Sequence, residues 1–166
     1  MEPQTGKDFK ELLSKAEHSA KTADHIVYIT YPLIKDSQLL KKALEEIYSI
    51  SIAIVQTTLS YEYMYKRVQL HQDPKLNWDN FRVKCAARFN MTSQEIDTIK
   101  ELLALAEKHK ESSMEFVRKE KVVIMSDNLR IESIGLDKLK KYLSVMKVVM
   151  QKTKAMMMSE SPFMFR

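Results

Sequence analysis

Ile47-Tyr-Ser-Ile-Ser-Ile-Ala-Ile-Val55 decides the fold. Its β-branched residues would suit a strand. It lies, however, inside a longer run from Leu39 to Leu59 that contains neither glycine nor proline. Leu39, Leu40, Ala43, Leu44, Ile47, Ile50, Ile54 and Val55 recur along that run at helical spacing. From Ile47 to Val55 it is apolar almost all round, as a helix at the centre of a bundle must be. The spacing therefore predicts a helix that starts at an N-cap formed by Ser37, with Asp36 before it, and reaches about Leu70.

Working outward, Phe9, Leu12, Leu13, Ala16, Ala20, Ala23, Ile26 and Val27 predict a preceding helix from about Asp8 to Tyr31, stopped by Pro32. On the other side, His71-Gln-Asp-Pro74 reads as a loop. Asn77 reads as the cap of a short helix through Phe89, and Thr92-x-x-Glu95 as a capping box for a helix to Lys110 with the stripe Ile96, Ile99, Leu103 and Ala106. Between Met114 and Ile134 two patterns compete. Ser112-x-x-Glu115 would cap a helix, whereas Val122 to Met125, Ser126 to Asn128 and Leu129 to Ile134 read as strand, turn and strand. The second pattern predicts a small β-hairpin or irregular ribbon near residues 116–134.

Leu136 to Met158 carries Lys138, Lys140, Lys141, Lys147, Lys152 and Lys154 against Asp137 alone, which accounts for the whole net charge of +5. Leu136, Leu139, Leu143, Met146, Met150 and Met157 follow one another at three- and four-residue steps, broken by Thr153. A helix with an apolar seam and a lysine-rich back follows. The fold class expected is mainly α: one bundle of four to five helices over residues 1–158, with 159–166 as a short flexible tail. At 166 residues with only two glycines and four prolines, the chain suits long helices and few reversals.

Several function classes are excluded by composition. Two glycines cannot build a phosphate-cradling loop, and neither a Gly-x-Ser-x-Gly elbow nor a His-Glu-x-x-His helix is present. Cys85, the single cysteine, rules out an internal disulfide and any multi-cysteine metal site, and points to the cytoplasm. Between Lys84 and Ala86 it reads as a half-buried packing residue. His18 and His25, seven residues apart, stand roughly 10 Å apart along a helix, too far to share one metal ion. His109, between Lys108 and Lys110, complements the carbonyls of a helix end. No catalytic residue, cofactor or metal is expected, and the longest apolar stretch is too short and too polar to span a bilayer.

A second basic region, residues 66–88, holds Lys66, Arg67, Lys75, Arg82, Lys84 and Arg88 against Asp73 and Asp79. Tyr61, Tyr63, Tyr65, Trp78, Phe81 and Phe89 run through and before it. Cations that neutralise phosphates beside rings that stack on bases suit RNA or single strands. The plainer reading makes Trp78, Phe81 and Phe89 core residues and the charges a solvated rim. Arg67 and His71 sit four apart in a helical layout that resembles the HEPN-type ribonucleases. The family signature is an arginine, four to six intervening residues and a histidine. Only Val68, Gln69 and Leu70 intervene here, so the motif falls short by one. Glu111 to Asn128, with Ala16-Glu-His-Ser and Tyr31-Pro-Leu-Ile-Lys-Asp36, also resembles small uncharacterised helical proteins of archaeal type, a likeness that implies no activity.

These readings lead to a non-enzymatic protein presenting basic surfaces to an anionic partner, RNA or a ribonucleoprotein. The expected contact residues are Lys66, Arg67, Trp78, Arg82, Lys84, Arg88, Lys138, Lys141, Lys147 and Lys152. The alternative is a protein partner or homo-oligomer assembled through the methionine-rich C-terminal helix and Phe163-Met164-Phe165. A HEPN-like ribonuclease is the further alternative.

Overall fold

The computed structural model describes residues 8–111, 114–118, 120–125 and 131–165, and the fold is given for these. It is the expected mainly α single domain. Helix α1 spans Phe9–His25, with Asp8 capping it through its carboxylate to the Lys10 amide. A π-turn over Ile26–Thr30 and a short α2, Tyr31–Ile34, continue it. The continuation past Pro32 departs from the sequence expectation, and the π-turn explains it. A wider turn shifts the hydrogen-bond ladder just where proline lacks an N–H and would crowd the preceding turn. What ends the helix is Lys35, left-handed at φ 57, whose amide returns to the Tyr31 carbonyl.

Helix α3, Gln38–Met64, is the central one, packed on α1, α5 and α6. Ser37 makes no side-chain cap; the Asp36 carboxylate accepts the Gln38 amide instead, at 2.9 Å. The helix stops six residues short of Leu70. Lys66 takes a left-handed φ of 58, its amide bonds the Tyr63 carbonyl, and the Arg67 amide reaches back to Glu62. That pair of bonds is a Schellman terminator, built here without glycine.

Asp73 caps α4, Pro74–Asn80, with Pro74 in its first turn, and a π-turn over Phe81–Cys85 follows. Asn77 therefore caps nothing. Its amide clamps the loop by accepting the His71 N–H and donating to the His71 carbonyl, at 2.8 and 2.7 Å. A second glycine-free Schellman turn, at Asn90, leads into α5, Ser93–Glu111, whose Thr92–Glu95 capping box forms as the sequence predicts.

The ribbon is a three-stranded antiparallel sheet in the order β1 (Met114–Arg118), β2 (Lys121–Met125), β3 (Ile131–Gly135). β1 is one strand more than the hairpin expected, while Ser112 and the turn at Ser126 to Asn128 lie outside the described residues. Val122, Ile124 and Ile134 point into the core. Gly135 passes directly into α6, Leu136–Glu160.

The four long helices alternate in direction. Lys147 pairs with Asp24 and Lys154 with Glu17, so α6 descends α1; Tyr142 bonds Glu101 and Lys152 bonds Glu95, so it also descends α5. The core runs their whole length, with Ala16, Ala20 and Ala23 letting α1 close tightly on α3. The sheet lies at one end of the bundle. At the other, the start of α1, the end of α3, the π-turn at Phe81–Cys85 and the end of α6 meet. No helix among the described residues is long and apolar enough to cross a membrane.

Candidate functional site

The end of the bundle away from the sheet gathers charge around one buried carboxylate. Glu62, in the last turns of α3, is only 1% exposed. The Schellman turn at Lys66 folds Arg67 back over it, so that Nε and Nη2 each donate to a different Glu62 oxygen at 2.9 Å. The fork of a guanidinium matches a carboxylate in this way, and the two bonds fix its plane. Arg88, just after the π-turn, brings its Nε within 3.2 Å of the same carboxylate.

Each arginine turns one remaining arm outward to Glu160 at the end of α6. Arg67 Nη1 reaches Oε1 at 2.7 Å and Arg88 Nη2 reaches Oε2 at 3.1 Å. The Arg67 guanidinium also lies over the Tyr65 and Tyr61 rings, 4.7 and 5.7 Å from their centres. Glu62 and Glu160 together hold Arg67 still more firmly protonated than an arginine ordinarily is. Tyr61 and Tyr65 hydroxyls meet the Ser161 hydroxyl beneath this layer, and burial pushes the Tyr61 phenol up.

Cys85 is fully buried below the arginines. Burial first, and then the Glu62 charge, push its thiol up to about 12 against the opposing pull of Arg88, Lys84 and Arg67. A thiol this reluctant to ionise is no nucleophile at neutral pH. The sequence reading of a half-buried cysteine thus understated its burial.

The sequence-expected residues divide into two sets. Arg67, Lys84 and Arg88 come together here, all within electrostatic reach of Cys85. Lys66 stands between Tyr65 and Arg67; both Lys66 and Lys84 are exposed, with no carboxylate partner among the described residues. Arg82 faces Asp79 at 3.5 Å, and Trp78 is half-buried against Phe81, so only part of its face is open.

The lysines of α6 stand apart. Lys138 lies some 22 residues before Glu160, roughly 33 Å along the helix, so Lys138 and Lys141 belong to the opposite end. Four of the six are spent on neighbouring helices: Lys138 on Glu101 at 3.3 Å, Lys147 on Asp24 at 2.7 Å, Lys152 on Glu95 at 2.8 Å and Lys154 on Glu17 at 2.6 Å. Lys140 covers the Tyr28 ring. Burial alone would raise the Glu95 carboxyl, but hydrogen bonds from Lys152 and Thr92 hold it below the usual carboxylate range. The lysine back of α6 is thus largely a seam that ties α6 to α1 and α5, and Lys152, which also donates to the Asn90 carbonyl at 2.9 Å, is the one that reaches the segment following Arg88.

His71 does not assemble with Arg67, whose guanidinium is bound on both edges, and its backbone is fixed by Asn77. His25 bonds Thr30 and His109 lies against Tyr48 and Glu45. Among the described residues no group of three or more metal-ligating side chains converges. Of the C-terminal residues, Met146 and Met157 are core, Met164 and Phe165 pack against it, and Phe163 is 68% exposed. Of the residues 159–166 expected as a flexible tail, Ser159 and Glu160 end α6, Pro162–Phe165 form a 3-10 turn with Phe165 against Phe9, and Arg166 lies outside the described residues. No family model, curated protein or solved structure matches the chain.

Proposed function

We propose that the chain is a non-enzymatic binding protein whose arginine end takes an anionic partner, with RNA or a ribonucleoprotein the class these residues suit. One observation carries the reading: a buried carboxylate organises two guanidiniums so that both direct an outer arm at the same point, where an anionic group, the Glu160 carboxylate, is already held. Lys66 and Lys84, exposed and without a carboxylate partner among the described residues, widen the positive edge, and the Tyr61 and Tyr65 rings support Arg67 from below. Cytoplasmic residence accords with a single, buried, unreactive cysteine.

The double reversal Lys66→Glu with Lys84→Glu should abolish retention on immobilised single-stranded RNA at moderate salt. Lys141→Glu, at the far end, should leave retention unchanged. With four cations engaged, the log of affinity should fall against log salt with a slope of about −3. Retention unaffected by the double reversal would end this reading.

A second reading, protein association, rests on residues other than the methionines. Tyr28, Ile29, Leu33 and Ile34, at the corner where α1 and α2 turn into α3, are all at least half exposed, Leu33 reaching 79%. Contiguous exposed aliphatic side chains of this kind mark contact surfaces. If that corner joins copies of the chain, light scattering should show an oligomer that Leu33→Ser with Ile34→Ser reduces to monomer. A wild-type monomer at high concentration would dispose of self-association.

A further inference from the structure

We propose that the outward arms of Arg67 and Arg88 form a phosphate receptor, and that Glu160 is a built-in stand-in for the phosphate that keeps it closed. This rests on the anionic-partner reading and says which atoms do the binding and what competes for them.

The receptor is built from the inside. Glu62 is out of water and takes two bonds from Arg67 and an ion pair from Arg88, so neither guanidinium is free to rotate away. Two positive charges against that one carboxylate leave a net single positive charge at the mouth. Nη1 of Arg67 and Nη2 of Arg88 then meet one anion through two different oxygens, the pattern in which arginines hold either a carboxylate or the two free oxygens of a phosphate.

Glu160 is suited to leave. It is the last residue of α6, where the helix dipole disfavours a negative charge and only the arginines offset that cost. Its side chain is 29% exposed and can turn into water without opening the core, which Glu62 cannot do. Ser161, immediately after it, is anchored by Tyr61 and Tyr65, so the helix end stays in place while the side chain swings. An incoming phosphate would replace one carboxylate with another anion of the same local charge or greater, and the flanking Lys66 and Lys84 would favour the more highly charged group.

Glu160→Gln removes the competitor's charge and keeps its size. In thermal unfolding at constant ionic strength, inorganic phosphate should raise the midpoint of Glu160→Gln by several degrees and bind at least about tenfold tighter than to the wild type. Adding Arg88→Gln to that variant should cancel the gain. Glu160→Ala should repeat it, in case the glutamine amide itself satisfies the arginines. Far-UV circular dichroism identifies any variant that has lost its fold. No phosphate effect in either folded Glu160 variant, or an effect that survives Arg88→Gln, would overturn the receptor.

Fluorescence anisotropy with a labelled single-stranded RNA forms the second arm. Tighter RNA binding by Glu160→Gln supports both proposals. A phosphate gain without any RNA binding leaves the receptor standing and removes RNA as its source. RNA binding by the wild type that Glu160→Gln leaves unchanged, with no phosphate effect, removes the receptor and leaves the RNA reading on Lys66 and Lys84.

Discussion

Arg67→Ala is expected to destabilise the protein by about 3–5 kcal/mol, the range for removing one partner of a buried ion pair. The cost lies in what remains. Glu62, 1% exposed, would keep a single ion-pair contact of 3.2 Å from Arg88 and lose both charge-assisted bonds from Arg67. Arg88 is 40% exposed, so Arg88→Ala should cost less, because Glu62 keeps the Arg67 fork. Glu62→Gln should also cost less, since the two guanidiniums it frees can reach water. Arg67→Lys should recover only part of the loss, for an ammonium cannot bridge both oxygens in one plane. Urea unfolding gives the ranking directly. A loss under about 1 kcal/mol for Arg67→Ala, the range of an exposed ion pair, would show that Glu62 is solvated rather than buried.

Ile54→Ala should cost a further, independent 2–5 kcal/mol. Ile54 is fully buried on α3, the helix that touches α1, α5 and α6, so few neighbours can move to fill the space. The midpoint in urea should fall with little change in slope, since the same surface is exposed on unfolding. Val83→Ala, at a position 64% exposed, is the control and should be close to neutral. Comparable losses at both positions would mean that the packing around α3 is looser than its burial indicates.

The helices were legible because their apolar residues keep a 3.6-residue period from Phe9 to Val27, from Leu39 to Leu59 and from Leu136 to Met157. Their ends were not. Val68 and Leu70 prolong the apolar pattern of α3, and nothing in Lys66 announces a left-handed turn that glycine usually makes. Pro32 misled in the other direction, since the π-turn that accommodates it leaves no residue signature. The third strand is hidden because no turn residue stands at Lys119-Glu120 to part Met114–Arg118 from Lys121–Met125, and Ser112-x-x-Glu115 suggests a helix cap there.

The arginines of the site were singled out as cations, but the carboxylates that organise them were not. Glu160 is brought to Arg67 only by the way α6 descends the bundle. Glu62 did leave a trace: it is the lone acid among Tyr61, Tyr63 and Tyr65, five residues before an arginine. The lysines of α6 show the same limit. Their helix was plain, while Glu17, Asp24, Glu95 and Glu101, which occupy four of them, belong to two other helices.

The ring of Phe9 meets that of Phe165, with centroids 6.5 Å apart. Both extremities of the described polypeptide therefore emerge beside the arginines. A polyhistidine handle or a fluorescent fusion joined through either extremity would be tethered close to the same edge. An acidic appendage would act as a tethered rival to the ligand, so affinities measured before its removal would read too weak.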